Sequence, residues 1–383
     1  MAEEARISKG LDEVVIAESA ISWVEGERGW LVYRGFDISE LMEGVSYESI
    51  VHLLLFGEPP AAEPPERLAE HIRRHRSLPD PIAAAVAAFP RELPPMDALR
   101  TAISLLGEGC FRYPPTVDQG LELLARAPTM LTRFVRRSKG LSVVEPRDDL
   151  SHVANYLWML TGVEPPPDRV RALERYFILL ADHGMNASTF ALRVVLSTQS
   201  DLAAAASAAL AALKGPAHGG APAKVIEMLD AVGAPSNAAQ WTTTTVGRGE
   251  RLYGFGHRAY KVEDPRSIWL KRIARDVATP RRFELAEAVE AAALETLGRD
   301  KPGRRLYTNV EFYGALVLEA VGLPPGLFTP TFGLARTAGW AAHALEQAGD
   351  NRLIRPEVRY NGPDRGRRWP LPPNDRPAPT AGV

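Results

Sequence analysis

The chain has 383 residues, 45% of them hydrophobic, a formal net charge of −2 and one cysteine, Cys110. That length supports a large core, most simply one big domain with a smaller one, and the near-neutral charge gives no electrostatic case for nucleic acid or an anionic membrane. A single cysteine excludes an internal disulfide. With an acidic, polar start and no apolar run of the roughly 18 residues that a membrane span needs, the expectation is a soluble cytoplasmic protein.

Cys110 reads as a small buried hydrophobe. Short apolar runs at Val14–Ala17, Ser22–Val24 and Trp30–Tyr33, the last two separated by the turn EGERG, predict an N-terminal β-ribbon. From Ile38 onward the periodicity is helical. Ser46 starts a helix that stops at Gly57 with prolines just beyond. Further helices are predicted at about 64–76, 80–89, 95–107, 117–138, 147–162, 166–181, 186–198, 201–213, 221–231, 235–248, 265–278, 280–297, 309–321 and 329–347. Proline turns bound these segments and do not interrupt them. Many helices with short connections predict an all-α domain. The tail after Tyr360, rich in proline and charge, predicts an extended arm or disorder.

Chemistry concentrates in the breaks between helices. The stretch AALKGPAHGGAPAKV puts His218 between two helical runs, with Gly215, Gly219 and Gly220 free to adopt positive φ or to let a ligand approach. A histidine before a helix N-terminus meets the positive dipole end, which favours the neutral ring. A neutral imidazole can donate to a carbonyl; the plain alternative is a loop histidine capping a helix. A second glycine-flanked histidine, His257, stands in YGFGHRAYK, and Arg266 follows in EDPR at a helix start, where its fork suits a carboxylate. Glu311, in TNVEFYG, stands among apolar and aromatic residues. Shielded from water it has a raised pKa and serves as a base; read singly it is a first-turn glutamate favoured by the dipole. His183 precedes another helix in ADHGMNASTF, Arg336 lies in an apolar helical face and Arg355 precedes Pro356. His52, His71, His75, His152 and His343 read as structural or surface residues. No CxxC pair, HExxH or Walker loop is present.

In this order, ADHGMNASTF, LKGPAHGGA, GFGHRAYK with EDPR, NVEFY, ART-GW-AH and RP resemble the citrate synthase family. So do GWLVYRGFDISEL and LLLFGEPP near the N-terminus, and the likeness runs from about residue 10 to 362. The length is similar to the shorter bacterial and archaeal members, 2-methylcitrate synthases included. The resemblance implies a mainly helical homodimer in which 1–218 and 326–383 form a large domain and 219–325 a smaller mobile one that closes over the substrates. It implies condensation of acetyl-CoA, or propionyl-CoA, with oxaloacetate, the coenzyme A thioester being a substrate and no cofactor being bound permanently.

By the same resemblance, His218 donates to the thioester carbonyl, Glu311 removes the methyl proton and His257 polarises the oxaloacetate ketone. His183, Arg266 and Arg336 bind carboxylates, and Arg355 comes from the partner subunit. Leu252, Gly254, Phe255, Gly256 and Lys261 look similar to the family's coenzyme A loop. Three positions depart from the family pattern: Glu311 replaces the usual aspartate, Pro222 an asparagine and Gly314 a serine. These departures leave open a ligand-binding sensor that turns over poorly, or a hydrolase that releases CoA without oxaloacetate.

Overall fold

The structure, a computed structural model, describes residues 7–11, 14–107 and 111–363. Cys110 and most of the tail lie outside the described residues. Three short strands, β1 (Ser22–Glu25), β2 (Trp30–Tyr33) and β3 (Phe36–Asp37), form an antiparallel sheet in the order β1-β2-β3, with Ser22 opposite Tyr33 and Glu25 opposite Trp30. The helices follow: α1 (Tyr47–Phe56), α2 (Glu66–Arg74), α3 (Asp80–Ala88), α4 (Pro95–Ser104), α5 (Val117–Ser138), α6 (His152–Thr161), α7 (Pro167–Leu180), α8 (Ala187–Ser197), α9 (Leu202–Leu213), α10 (Pro222–Val232), α11 (Ala238–Gly247), α12 (Pro265–Val277), α13 (Pro280–Asp300), α14 (Val310–Ala320) and α15 (Phe328–Gly349).

Local chemistry sets these boundaries. Ser46, Asp201 and Asn309 each accept a backbone N–H as N-caps, and Thr116 with Gln119 closes a capping box. Prolines open α10, α12 and α13, where their missing N–H costs nothing. Val14–Ala17, expected as a strand, is irregular and unpaired; Val14, Ile16 and Ala17 line the large cleft. Its apolar run satisfies the strand pattern, yet among the described residues no neighbouring strand bonds it. The two-residue β3 was too short to announce itself.

α15 is the hub: its buried face packs on α1, α5, α7, α8 and α9. One stripe of it carries successive contacts. Phe332 and Arg336 reach the cleft, Gly339 meets the end of α7, His343 Nε2 stands 3.2 Å from Asp182 Oδ1, and Glu346 pairs with Arg193 while accepting from Ala20 N at 2.9 Å. A second group, α10 to α14, joins the first where α12 and α14 pack on α7 and where α10 meets α15. The cleft opens between the groups.

Gly339 marks the tightest approach. A Cβ there would lie 2.4 Å from both the Ala181 carbonyl oxygen and Asp182 Oδ1. In an open helix, Gly→Ala gains roughly 1 kcal/mol. Gly339→Ala is instead expected to cost about 1–3 kcal/mol by overpacking. Urea denaturation decides the sign, and a stabilised variant would refute this account of the crossing.

Candidate active site

The two helical groups enclose a cleft of about 1470 Å³ lined by His183, His218, His257, Arg266, Glu311 and Arg336. His218 sits on the break between α9 and α10, as expected, but Gly215, Gly219 and Gly220 do not have positive φ. Their value is size. A Cβ on Gly219 would lie 2.6 Å from Leu213 Cδ1, and one on Gly220 3.0 Å from the Lys214 carbonyl.

His218 Nε2 lies 2.9 Å from Ser188 Oγ, which itself donates to Asn186 Oδ1 at 2.7 Å. Its pKa falls to about 4, first through burial and then through Arg336 and Arg266. The neutral ring expected from the helix dipole is thus produced by desolvation and two cations.

His257 has a fixed tautomer. Nδ1 accepts from the backbone N–H groups of Ala259 (3.0 Å) and Tyr260 (3.1 Å), so the ring proton sits on Nε2. Burial and then Arg266 hold its pKa at about 4. His257 is therefore a neutral Nε2–H donor. His183, buried with Nε2 3.1 Å from the Tyr260 hydroxyl, is pushed well below its ordinary value by burial, Arg266 and His257. The loop carrying His257 is braced from outside by the β-ribbon turn: Lys261 N donates to Gly26 O at 2.9 Å, and a Cβ on Gly26 would meet the Ala259 carbonyl oxygen at 2.2 Å.

The two arginines differ. Arg266 is clamped by its own neighbour, Nε to Asp264 Oδ1 at 3.0 Å and Nη2 to Oδ2 at 2.8 Å. The bidentate pair expected with a ligand is already taken within the chain, and Nη1 is what remains for a substrate. Asp264 Oδ2 also accepts from Val310 N at 3.2 Å, tying Arg266 to the start of α14. Arg336 is buried over the Phe332 ring, donates Nε to the Leu180 carbonyl at 2.6 Å, and has no carboxylate at ion-pair distance among the described residues. Burial pulls its pKa down, and Asp182, beyond ion-pair distance, offsets only part of that cost, so an arriving anion would stabilise it.

Glu311 occupies the first turn of α14, its N–H capped by Asn309 Oδ1 at 3.0 Å. This first-turn glutamate also faces the cleft, so its place beside the helix dipole and its exposure to a ligand go together. Burial raises its pKa to about 7 against the lowering pull of Arg251 and Arg266.

Of the residues tied to coenzyme A by resemblance, Leu252, Phe255 and Gly256 line the cleft, whereas Gly254 and Lys261 do not. Gly254, at φ +86°, is packed against Phe312, and Lys261 Nζ bonds the Arg258 carbonyl at 3.2 Å. Arg355 lies exposed on an irregular segment away from this cleft. Ser188, Tyr260, Arg251 and the bracing role of Asp264 were not read from the sequence. Only Asp264 carried a signal, as the acidic residue two before Arg266.

Similarity to known proteins covers nearly the whole chain. The family model "Citrate synthase, C-terminal domain" matches residues 10–357. The citrate synthase of Deinococcus radiodurans is 36% identical over 94% of this chain and 96% of its own. 2-Methylcitrate synthase 2 of Corynebacterium glutamicum is 37% identical over 93% and 95%. The Thermoplasma acidophilum citrate synthase, solved as a ternary complex with carboxymethyl coenzyme A and oxaloacetate, superposes with a TM-score of 0.89 at 29% identity, covering 97% of this chain and all of that one. With its histidines, arginines and carboxylate gathered in one cleft and its likeness spanning residues 10–357, the chain belongs to the citrate synthase family.

Proposed function

We propose that the cleft condenses an acyl-CoA thioester with oxaloacetate, using Glu311 as base and His218 and His257 as neutral hydrogen-bond donors. The observation that carries this reading is the set of charge states: two neutral imidazoles, a carboxyl group poised at about 7 and a buried, unpaired arginine face one space. Glu311 takes a proton from the α-carbon while His218 stabilises the oxygen of the resulting enol. Because Nε2 of His218 is engaged by Ser188, Nδ1 meets the thioester. For Nδ1 to carry the proton, the Ser188 hydroxyl must turn from Asn186 and donate to Nε2. The enol carbon attacks the ketone of oxaloacetate, and the ketone oxygen, held by His257 Nε2–H, becomes the alcohol. Water then cleaves the thioester, releasing CoA and the tricarboxylate.

Arg336, Arg266 through Nη1, and His183 hold the carboxylates. Leu252, Phe255 and Gly256 take the thioester arm, with no permanently bound cofactor. The two cleft walls support closure of 219–325 over the ligands, which would keep the enol from water. A homodimer is supported by the exposed apolar side chains of Leu353, Val358 and Tyr360 around Arg355, which would reach a second copy's cleft.

CoA release, followed with a thiol reagent for acetyl-CoA and propionyl-CoA with and without oxaloacetate, tests the reading. Oxaloacetate-dependent release is expected. Glu311 works as the carboxylate, so log(kcat/KM) should rise with unit slope up to about pH 7 and level above it. A flat acid limb would remove Glu311 from the role of base. Oxaloacetate-induced stabilisation without release would leave a binding protein only.

A further inference from the structure

Glycine in a buried helical position usually has a steric reason. Among the described residues four such glycines occur, and three show one. A Cβ would stand 3.0 Å from Ala341 at Gly120, 2.9 Å from Leu210 at Gly333, and 2.4 Å from the Ala181 carbonyl at Gly339. Gly314 shows none. Its φ is not positive, and a Cβ there would meet nothing nearer than Tyr176 Cε2 at 3.4 Å and Leu270 Cδ1 at 3.7 Å, ordinary contact distances. Alanine would fit and would favour the helix. The protein itself leaves the space empty.

The position of that space matters. Helical side chains lean toward the N-terminus, so the volume a residue at 314 would fill lies over the preceding turn, where Glu311 sits three residues back on the same face. Gly314, Glu311, Tyr176, Leu180 and Pro222 all line the cleft. The recess is therefore bounded by Tyr176 and Leu270, is about a methyl group in size, and lies one helical turn from Glu311, whose side chain stands more than 4 Å from the Cβ position.

The geometry points to Gly314 as a specificity-determining position whose recess accepts an alkyl substituent on the α-carbon, so that the cleft favours propionyl-CoA over acetyl-CoA. This rests on the reading of Glu311 as base. A carbon within proton-transfer reach of that carboxylate directs its substituent along the wall where the missing side chain would lie. Glu311 removes one of the two α-protons of the propionyl group, the carbanion equivalent forms the new C–C bond to the ketone carbon, and water cleaves the C–S bond as before. The product carries one methyl group more.

The test compares kcat/KM for acetyl-, propionyl- and butyryl-CoA at saturating oxaloacetate in the wild type, Gly314→Ala and Gly314→Ser. One methyl in an apolar pocket discriminates by about 10–200-fold. The wild type is expected to prefer propionyl-CoA, and Gly314→Ala to lower the propionyl/acetyl ratio by about that factor, with a melting temperature at or above wild type. Gly314→Ser should move the ratio the same way. An unchanged ratio overturns the inference, and so does an equal fall for both thioesters, which would assign the recess to movement of the Glu311 side chain. Absence of oxaloacetate-dependent release from the wild type with every thioester would overturn the proposed function itself, and this inference with it.

Discussion

Glu311→Gln is expected to lower kcat by roughly 10²–10⁴-fold, the range removed with a general base, while oxaloacetate still raises the melting temperature. Glutamine keeps the shape and the capped N–H but cannot take a proton. The same variant has a signature in stability. The folded chain holds the Glu311 carboxyl neutral to about pH 7, whereas an unperturbed one ionises near 4.5. Across that window the unfolded state binds fewer protons, so the wild type loses stability as pH rises. Glutamine has no such loss. The melting temperature of the variant relative to wild type should therefore climb from about pH 5 to about pH 8. A constant difference would mean that the carboxyl is not buried as the structure has it. Glu311→Asp should also fall, by about a hundredfold, because a shift of order 1 Å separates base from α-carbon. A severalfold gain from Asp alone would show that the cleft has not adapted to the longer side chain.

Arg336→Leu is expected to weaken oxaloacetate by about 2–5 kcal/mol, the usual effect of removing one member of a desolvated charge pair. The apo chain should change far less. Loss of the bond to the Leu180 carbonyl opposes relief from burying a cation with no carboxylate beside it. Comparing the thermal shift with and without oxaloacetate separates the two. A large fall in apo stability with unchanged ligand shift would make Arg336 a structural residue.

Much of the fold was legible because its signals are local. Ser46, Thr116, Asp201 and Asn309 cap helices where polar residues precede apolar periodicity, and Gly57 ends α1 in the left-handed region. Val14–Ala17 misled because an apolar run specifies burial and not a bonding partner. The site was legible as a set of residue types, but its connections were not. Nothing in the spacing shows that Asp264 takes the fork of Arg266, that backbone N–H groups fix the tautomer of His257, or that Ser188 meets His218 thirty residues away. Such contacts depend on how helices cross, which single-chain periodicity does not encode. Which residues of the coenzyme A-like loop line the cleft was hidden for the same reason: a glycine-rich basic loop does not reveal that Leu252, Phe255 and Gly256 turn inward while Gly254 and Lys261 do not.

The stripe on α15 restricts how this chain can change length. Phe332, Arg336, Gly339, His343 and Glu346 lie along one face of one helix, and the last four meet Leu180, Ala181, Asp182 and Arg193 in turn. Inserting or deleting a single residue between Phe332 and Glu346 would rotate everything beyond it by about 100°. The cleft arginine would then be out of phase with the histidine and glutamate that anchor the far end. Substitutions along this helix can be absorbed one contact at a time, but a change of register cannot, so gains and losses of residues are confined to the connections outside it.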